Sequence, residues 1–474
     1  MADAQAKFLT GSLFKHISVM SLTASVGLMA VFIVDFVDMI FISMLGKSEL
    51  AAAIGYAGAI LFFTTSFGIG MSISAGALVS RALGSGDEHE AKRKATHAII
   101  YGVILGSVFA AIVWLNLGAL VTLLGATGET HDLAVLYLQI IVPSLPLLMV
   151  GMVGGAILRA HGDASRAMMA TIYGGLVNAV LDPILIFGLD LELTGAAIAS
   201  VAARVTIGAV SLLPIIRHHG GFVRPEIRDL IIDLRPVLAI AVPAILTQLA
   251  TPIGQAYVTR AMAEFGEAAV AGMAIVGRLT PIAFGVIFAL SGAIGPIMGQ
   301  NFGAGDMVRV KHAFRDGVLF TALVVIVMTV ALFALRGPIA ALFEADGITR
   351  DLVFLFCGPL ALTFFFNGLL FVANASFNNL GHPYYSTWLN WGRHTIGTIP
   401  FVILGSMWFG APGVMIGQAV GGVIFGVLSV WLALRMMAGV LRKPMSPSPA
   451  APAKCSSFLA GTRTQVAQSR SLNV

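Results

Sequence analysis

Val34-Asp35-Phe36-Val37-Asp38-Met39-Ile40-Phe41 places two carboxylates near the end of a long apolar run. From about Ile17 to Met44 no other charge occurs, and an apolar run beyond ~20 residues reads as a membrane-spanning helix. An ionised carboxylate in that setting costs roughly 2.5–3.5 kcal/mol on insertion scales, so acids inside a membrane usually face a wet cavity or a partner. Asp35 and Asp38 are three residues apart, about 60° around a helix, so one broad face holds both. The competing reading is that either acid simply meets water near the helix end.

Composition favours the membrane setting throughout. Of 474 residues, 58% are hydrophobic and 11% charged, whereas a soluble domain carries roughly 25% charged residues to cover its surface. The 53 glycines suit helices that must approach closely where no hydrophobic drive separates helix from lipid. A net charge of +5 does not point to nucleic acid, because the basic residues fall mostly in short loops. Cys357 and Cys455 form neither a disulfide framework nor a metal-ligand spacing. Met1 to Lys15 lacks a signal peptide's apolar core and cleavage site, so the first helix is expected to stay as an anchor.

Breaks of Gly, Pro and charge divide the chain into twelve spans of bilayer length. They are 17–44, 50–80, 95–123, 132–158, 166–188, 195–216, 236–263, 270–300, 313–335, 351–377, 385–409 and 413–437. Loops after even-numbered spans are basic: Arg81, Lys92, Arg93 and Lys94; Arg159 and Arg166; Arg217, Arg224, Arg228 and Arg235; Arg309, Lys311 and Arg315. Loops after odd-numbered spans hold little beyond Lys47, Arg336 and Arg350. The positive-inside rule then predicts a multi-pass protein with both termini in the cytoplasm, and the bacterial cytoplasmic (inner) membrane is the expected location.

A repeat of about 220 residues runs through the chain. Leu45-Gly46-Lys47-Ser48-Glu49-Leu50-Ala51 matches Phe265-Gly266-Glu267-Ala268-Ala269-Val270-Ala271, and Gly84-Ser85-Gly86-Asp87 matches Gly303-Ala304-Gly305-Asp306. Gly195 and Gly413 open the last span of each half. Six spans per half insert in one orientation, and parallel repeats of this kind usually flank a central pathway. The expected organisation is an N-terminal six-helix lobe (1–217), a cytoplasmic linker (218–235), a C-terminal six-helix lobe (236–440) and a disordered cytoplasmic tail (441–474). The tail is rich in Ser, Pro and Ala and has no long apolar run.

The repeat makes the acids informative. Asp38 falls opposite Val258, and Asp182 opposite or beside Phe401, so the carboxylates belong to the first half alone. Asp38 lies about eight residues below Gly46 and Asp182 about six below Gly188, placing both in the outer third of the bundle. Asn178 is one turn from Asp182 on the same face, Pro183 weakens the backbone ladder beside it, and Ser200 reaches similar depth. Two carboxylates with amide and hydroxyl groups at one depth suit a proton or a small cation such as Na⁺, with Asp38, Asp182 and Asn178 as its ligands. For Asn178 and Ser200 an ordinary interhelical hydrogen bond is the plainer alternative.

At these residues the chain resembles the multidrug and toxic compound extrusion (MATE) transporters. The matching features are Val37-Asp38-x-x-Phe41-Ile42-x-x-Leu45-Gly46, Tyr137-Leu138-x-Ile140, Leu158-Arg159-Ala160-x-Gly162-Asp163, Asn178-x-x-Leu181-Asp182-Pro183 and Gly195-Ala196-Ala197-Ile198-Ala199-Ser200. The resemblance covers about residues 10–440. It implies an all-α membrane protein with twelve helices in two pseudo-symmetric six-helix lobes around a V-shaped cleft. It further implies export of organic compounds, often cationic or amphipathic, against an inward flow of ions, with H⁺ preferred here over Na⁺. The ion gradient is then the energy source, no cofactor is expected, and the protein is not an enzyme. The expected partners are small organic molecules, the coupling ion and the bilayer, with no nucleic acid and a monomeric state. By likeness to the DinF-like branch, the coupling residues are Asp38, Tyr137, Asn178, Asp182 and Ser200, Ser200 standing where a Thr is common.

The chain departs from that pattern in four places. Gly154-Gly155 replaces an Asn often found before the fourth-helix Leu-Arg, whereas Asn374 remains in the second half. Ser21-Leu22-Thr23 lacks the usual first-helix proline, which Pro243 occupies in the repeat. Asp35 stands where relatives often carry Asn, and the seventh helix (Thr247 to Pro252) has no acid for a C-lobe sodium site. Arg260 and Arg278 are placed to snorkel. Arg393 and His394, about nine residues into the eleventh span, either line a cavity or bond between helices. The rival readings are an intramembrane aspartyl protease, hinted at only by the loop pair Gly162-Asp163, and a lipid-linked sugar flippase of the same superfamily. A flippase cleft wants several cations for pyrophosphate, whereas the first half offers acids. No Walker-type glycine loop is present, so ATP is not the direct energy source.

Overall fold

The computed structural model describes residues 6–442, so the predicted tail lies outside the described residues apart from its first two. A one-turn 3₁₀ helix at Lys7–Leu9 precedes the first half. That half comprises α1 (Leu13–Met44), α2 (Ser48–Gly84), α3 (Glu88–Leu115), α4 (Leu117–Leu123), α5 (Gly128–Ile141), α6 (Leu145–Ala160), α7 (Ala164–Pro183) and α8 (Glu192–His218). The second comprises α9 (Ile227–Ala263), α10 (Glu267–Gly303), α11 (Met307–Leu342), α12 (Gly347–Leu355), α13 (Ala361–Asn379), α14 (Tyr384–His394), α15 (Ile399–Phe409) and α16 (Ala411–Arg442). No strand occurs among the described residues.

Eleven helical segments among the described residues are long and apolar enough to cross a membrane. The predicted eleventh span, 385–409, differs: it is broken between α14 and α15. Pro400 sits in the first turn of α15, where its missing N–H costs nothing, but it disfavours helical geometry just before it. Gly421 lets α16 come close to the break, since a Cβ there would stand only 1.8 Å from the Gly397 carbonyl oxygen. The predicted linker is also shorter than 218–235, because α9 already begins at Ile227. Its charges made that stretch read as a loop. Instead Asp229 and Asp233 pair with the start of α3: Lys94 Nζ lies 2.6 Å and His97 Nδ1 2.7 Å from Asp233, and Arg93 Nη1 3.3 Å from Asp229.

The repeat is visible at atomic detail. Gly86 and Gly305 both adopt φ +78°, a left-handed backbone that suits glycine. Each is followed by an N-capping acid, Asp87 accepting from the Glu90 N–H at 2.8 Å and Asp306 from the Arg309 N–H at 2.9 Å. Gly162-Asp163 is a third case, with Asp163 capping the Arg166 N–H, so the only fragment that hinted at a protease is a helix cap.

Glycines also locate the cleft. A Cβ on Gly84 would lie 1.9 Å from the Gln300 carbonyl oxygen, and one on Gly303 would lie 2.0 Å from that of Arg81, so α2 and α10 cross in backbone contact at the basic end. On the opposite half of the same helices Gly55, Gly58 and Gly277 face open space. The two lobes therefore close at one end and part at the other. The Lys7–Leu9 turn is wedged into the closed end: the Phe8 N–H donates to Gln300 Oε1 at 2.9 Å, Lys7 Nζ to the Gly162 carbonyl at 3.0 Å, and Gln300 Nε2 to the Ala160 carbonyl at 2.8 Å. Helix α1 spans both lobes. Its inner residues Ile17 and Met20 pack among Leu290, Ile294 and Ile297 of α10, whereas Ile42, one turn beyond Asp38, packs with first-lobe residues such as Leu138 and Ile186.

Candidate functional site

Helices α1 and α7 approach closely because Gly27 and Gly175 leave room for Met168 and Val34 respectively. That approach brings Asp38 and Asp182 together, with their carboxyl groups within hydrogen-bonding range of each other. Asp182 is fully buried, and its Oδ2 accepts from Asn178 Nδ2 at 2.9 Å, one turn away on the same face. Oδ1 of Asp38 and Oδ1 of Asp182 have no hydrogen-bond partner among the described residues. Two enclosed, unfilled acceptors of this kind are satisfied when one proton sits between the carboxyl groups, the protonated one donating and the other accepting. Pro183 ends the regular part of α7, and the π-turn at Ile184–Gly188 follows, as expected where a backbone N–H is missing.

Around this pair the sequence-predicted residues take distinct places. Tyr137 is buried on α5, its hydroxyl within hydrogen-bonding range of Ser200 on α8 and close enough to both acids to interact electrostatically. Asp35 lies one turn further along α1, near Asp38 but more exposed. Toward the open end the Phe41 and Phe187 rings meet edge to face at 6.0 Å, an apolar cover one turn beyond the acids. Further out, Lys47 Nζ holds both carboxylate oxygens of Glu192 at 2.8 and 2.9 Å.

The second lobe has no acid at the matching positions. Val258 is fully buried and Phe401 half-buried. Its polar interior is made of amides and hydroxyls: Asn390 Nδ2 donates to Asn374 Oδ1 at 3.3 Å, and Thr247 Oγ1 lies 3.3 Å from Thr387 Oγ1. Arg393 and His394 sit at the end of α14, beside the break. His394 is 4% exposed, both its ring nitrogens lack partners among the described residues, and it packs where only a glycine, Gly254, leaves space. Arg260 and Arg278 are exposed, as a snorkelling side chain requires.

Two first-lobe cations were missed. Arg204, one turn from Ser200, donates from Nη1 to the Ile141 carbonyl at 3.1 Å and to Ser144 Oγ at 2.9 Å, and it lies close to Tyr137. The i, i+4 spacing from Ser200 was the available signal. Arg159, counted with the loop cations, belongs to the last turn of α6, with its head turned back along the helix toward Gly155.

Comparison with known proteins agrees with this architecture. The MatE family model matches residues 24–184 and again 243–403, one match in each lobe. Among similar proteins is an FAD transporter of Shewanella oneidensis, 28% identical over 426 residues, covering 88% of this chain and 93% of that one. Another is the multidrug export protein MepA of Staphylococcus aureus, 23% identical over 422 residues, covering 88% and 92%. A MOP superfamily transporter structure from Pyrococcus furiosus superposes with a TM-score of 0.86 at 21% identity, covering 93% of this chain and 99% of that one. Twelve spans in two related lobes around a cleft, the doubled match and the full-length relatives converge on one conclusion: the chain belongs to the MATE family of transporters, and it is not an enzyme.

Proposed function

We propose that this protein is a proton-coupled antiporter that exports amphipathic organic compounds through the central cleft by alternating access. The observation that carries the reading is the facing pair of half-buried Asp38 and fully buried Asp182, each with one enclosed, unfilled oxygen. The basic end is read as cytoplasmic by the positive-inside rule, so the arrangement described is open to the outside.

In that state the pair is reached from outside past Phe41 and Phe187. A proton arriving there fills the vacant acceptors, so the two carboxyl groups bond to each other instead of to water. The helices α1 and α7 then pack without a hydrated charge between them. Because α1 also forms part of the second-lobe wall, a shift at Asp38 is transmitted to the contact between lobes. Proton and cargo are exchanged only if each binds the two states with different affinity. Tyr137, Ser200 and Asn178 hold the acids in place. A sodium ion bound by Asp38, Asp182 and Asn178 is the alternative coupling species.

The relatives bear on the cargo. One is named for multidrug export and another for FAD, so the cargo class we propose covers flat aromatic compounds that carry either charge.

The test is dye efflux from vesicles holding the purified protein, driven separately by a pH jump and a Na⁺ jump. Proton coupling predicts efflux with the first and none with the second. Asp38→Asn should abolish gradient-driven efflux while leaving folding intact, because the amide cannot exchange a proton. Asp182→Asn should weaken it strongly and Asp35→Asn only slightly. Wild-type efflux by Asp38→Asn at matched protein levels would sink the mechanism.

A further inference from the structure

The closed end of the cleft carries a cation that nothing in the coupling mechanism uses. Arg159 Nη1 lies 3.4 Å from where a Cβ on Gly155 would stand, and its Nε lies 3.8 Å from one on Gly292 of α10. The guanidinium thus points away from the basic end and lies between the two lobes. Beneath it the way out is shut: Gln300 bonds the Ala160 carbonyl, Lys7 bonds the Gly162 carbonyl, and Phe8 is 1% exposed. Snorkelling to the water on that side is blocked.

Arg159 makes no hydrogen bond and no ion pair among the described residues, and no carboxylate there acts on it. Arg204, half-buried like Arg159, has its Nη1 on a carbonyl and a hydroxyl. The position matching Arg159 in the second lobe is Asn378, a neutral residue, and its carbonyl accepts from Arg81 Nη2 at 2.7 Å. So the closed end holds a second guanidinium, Arg81, and among the described residues no acid is paired with either.

A guanidinium offers five donors in a planar fork that fits two oxygens of a carboxylate or phosphate. Half-buried at the floor of the cleft and without a counter-charge, it favours an anion that can reach it. Gly155 and Gly292 keep side chains out of the space beside the fork. We infer that Arg159 is an anion subsite at the floor of the cleft, taking the carboxylate or phosphate group of an exported compound. The inference rests on the reading of the cleft as the export path. When α2 and α10 part at the basic end, Arg159 stands on the path that cargo takes on entering. When they close again, the anion is held above the seal and can leave only through the open mouth.

Riboflavin and riboflavin 5′-phosphate differ by one phosphate and are both fluorescent, so they isolate this contact. Equilibrium binding of each to the full chain in lipid nanodiscs should favour the phosphate form by roughly tenfold, about 1.4 kcal/mol. Arg159→Gln should erase the preference, and Arg159→Lys, which keeps the charge without the fork, should retain part of it. Equal binding of the two flavins by the parent, absent binding of the phosphate form, or a preference that survives in Arg159→Gln would each overturn the subsite. Ethidium efflux under a pH gradient tests the export reading separately. Its absence, with the flavin preference intact, overturns that reading and leaves the subsite standing.

Discussion

Gly84→Ala probes the closed end of the cleft most directly. A methyl group there would stand 1.9 Å from the Gln300 carbonyl oxygen, whereas ordinary contact begins at 3.4 Å, so α2 and α10 must separate by roughly 1.5 Å. The obstacle is backbone and cannot rotate away. Overpacking a tight contact costs roughly 1–3 kcal/mol, and here the cost falls only on the arrangement in which the two helices touch. The ratio of closed to open at this end should therefore fall by about 5- to 150-fold. The contacts bridged by Gln300, to the Phe8 N–H and the Ala160 carbonyl, loosen with it. A suitable reporter is Ser80→Cys in a chain whose native cysteines are replaced, because Ser80 is fully buried one turn behind the crossing. Adding Gly84→Ala should speed its labelling, from the basic side, by a membrane-impermeant maleimide. It should also slow gradient-driven efflux. Equal labelling rates with and without Gly84→Ala would refute the account of the seal.

Two other outcomes are expected. Arg393→Gln and His394→Asn change the second lobe's polar interior but not the acid pair, so efflux assays should show altered cargo preference with the response to pH gradient unchanged. A lost pH response in Arg393→Gln, with drug binding intact, contradicts the assignment of coupling to the first lobe. At the loop between α6 and α7, burial works against the charged form of Asp163, but hydrogen bonds from His219 and Arg166 outweigh it and hold the carboxyl below its ordinary value of 3.8. A depressed carboxyl contributes stability above that value and loses it as pH falls through the folded-state one. Asp163→Asn should therefore lower the melting temperature by roughly a degree or two near neutral pH, and the gap should narrow only below about pH 4.

The membrane setting, the doubled helical architecture and the places of Asp38 and Asp182 within apolar spans were legible in the chain's own order of residues. Each rests on a local or periodic property: hydropathy over about twenty residues, loop charge, turn glycines repeated at one offset, and ionisable groups where lipid makes them costly. What those properties leave open is which face of each helix meets which neighbour. Asp38 and Asp182 are separated by more than a hundred residues, and only the Gly175–Val34 approach of α1 and α7 makes them a pair. Charge in the stretch before 236 read as linker because the partners that neutralise it, Lys94 and His97, lie on a distant helix. Arg159 read as a loop cation because its helix end is basic, yet a side chain several ångströms long takes its direction from packing. Here the Lys7–Gly162 and Gln300–Ala160 bonds shut the path to water below, and glycines on two lobes open a space above. Sequence placed the charges along the helices; only the packing of one lobe against the other decided which of them face a partner, a proton or an empty cleft.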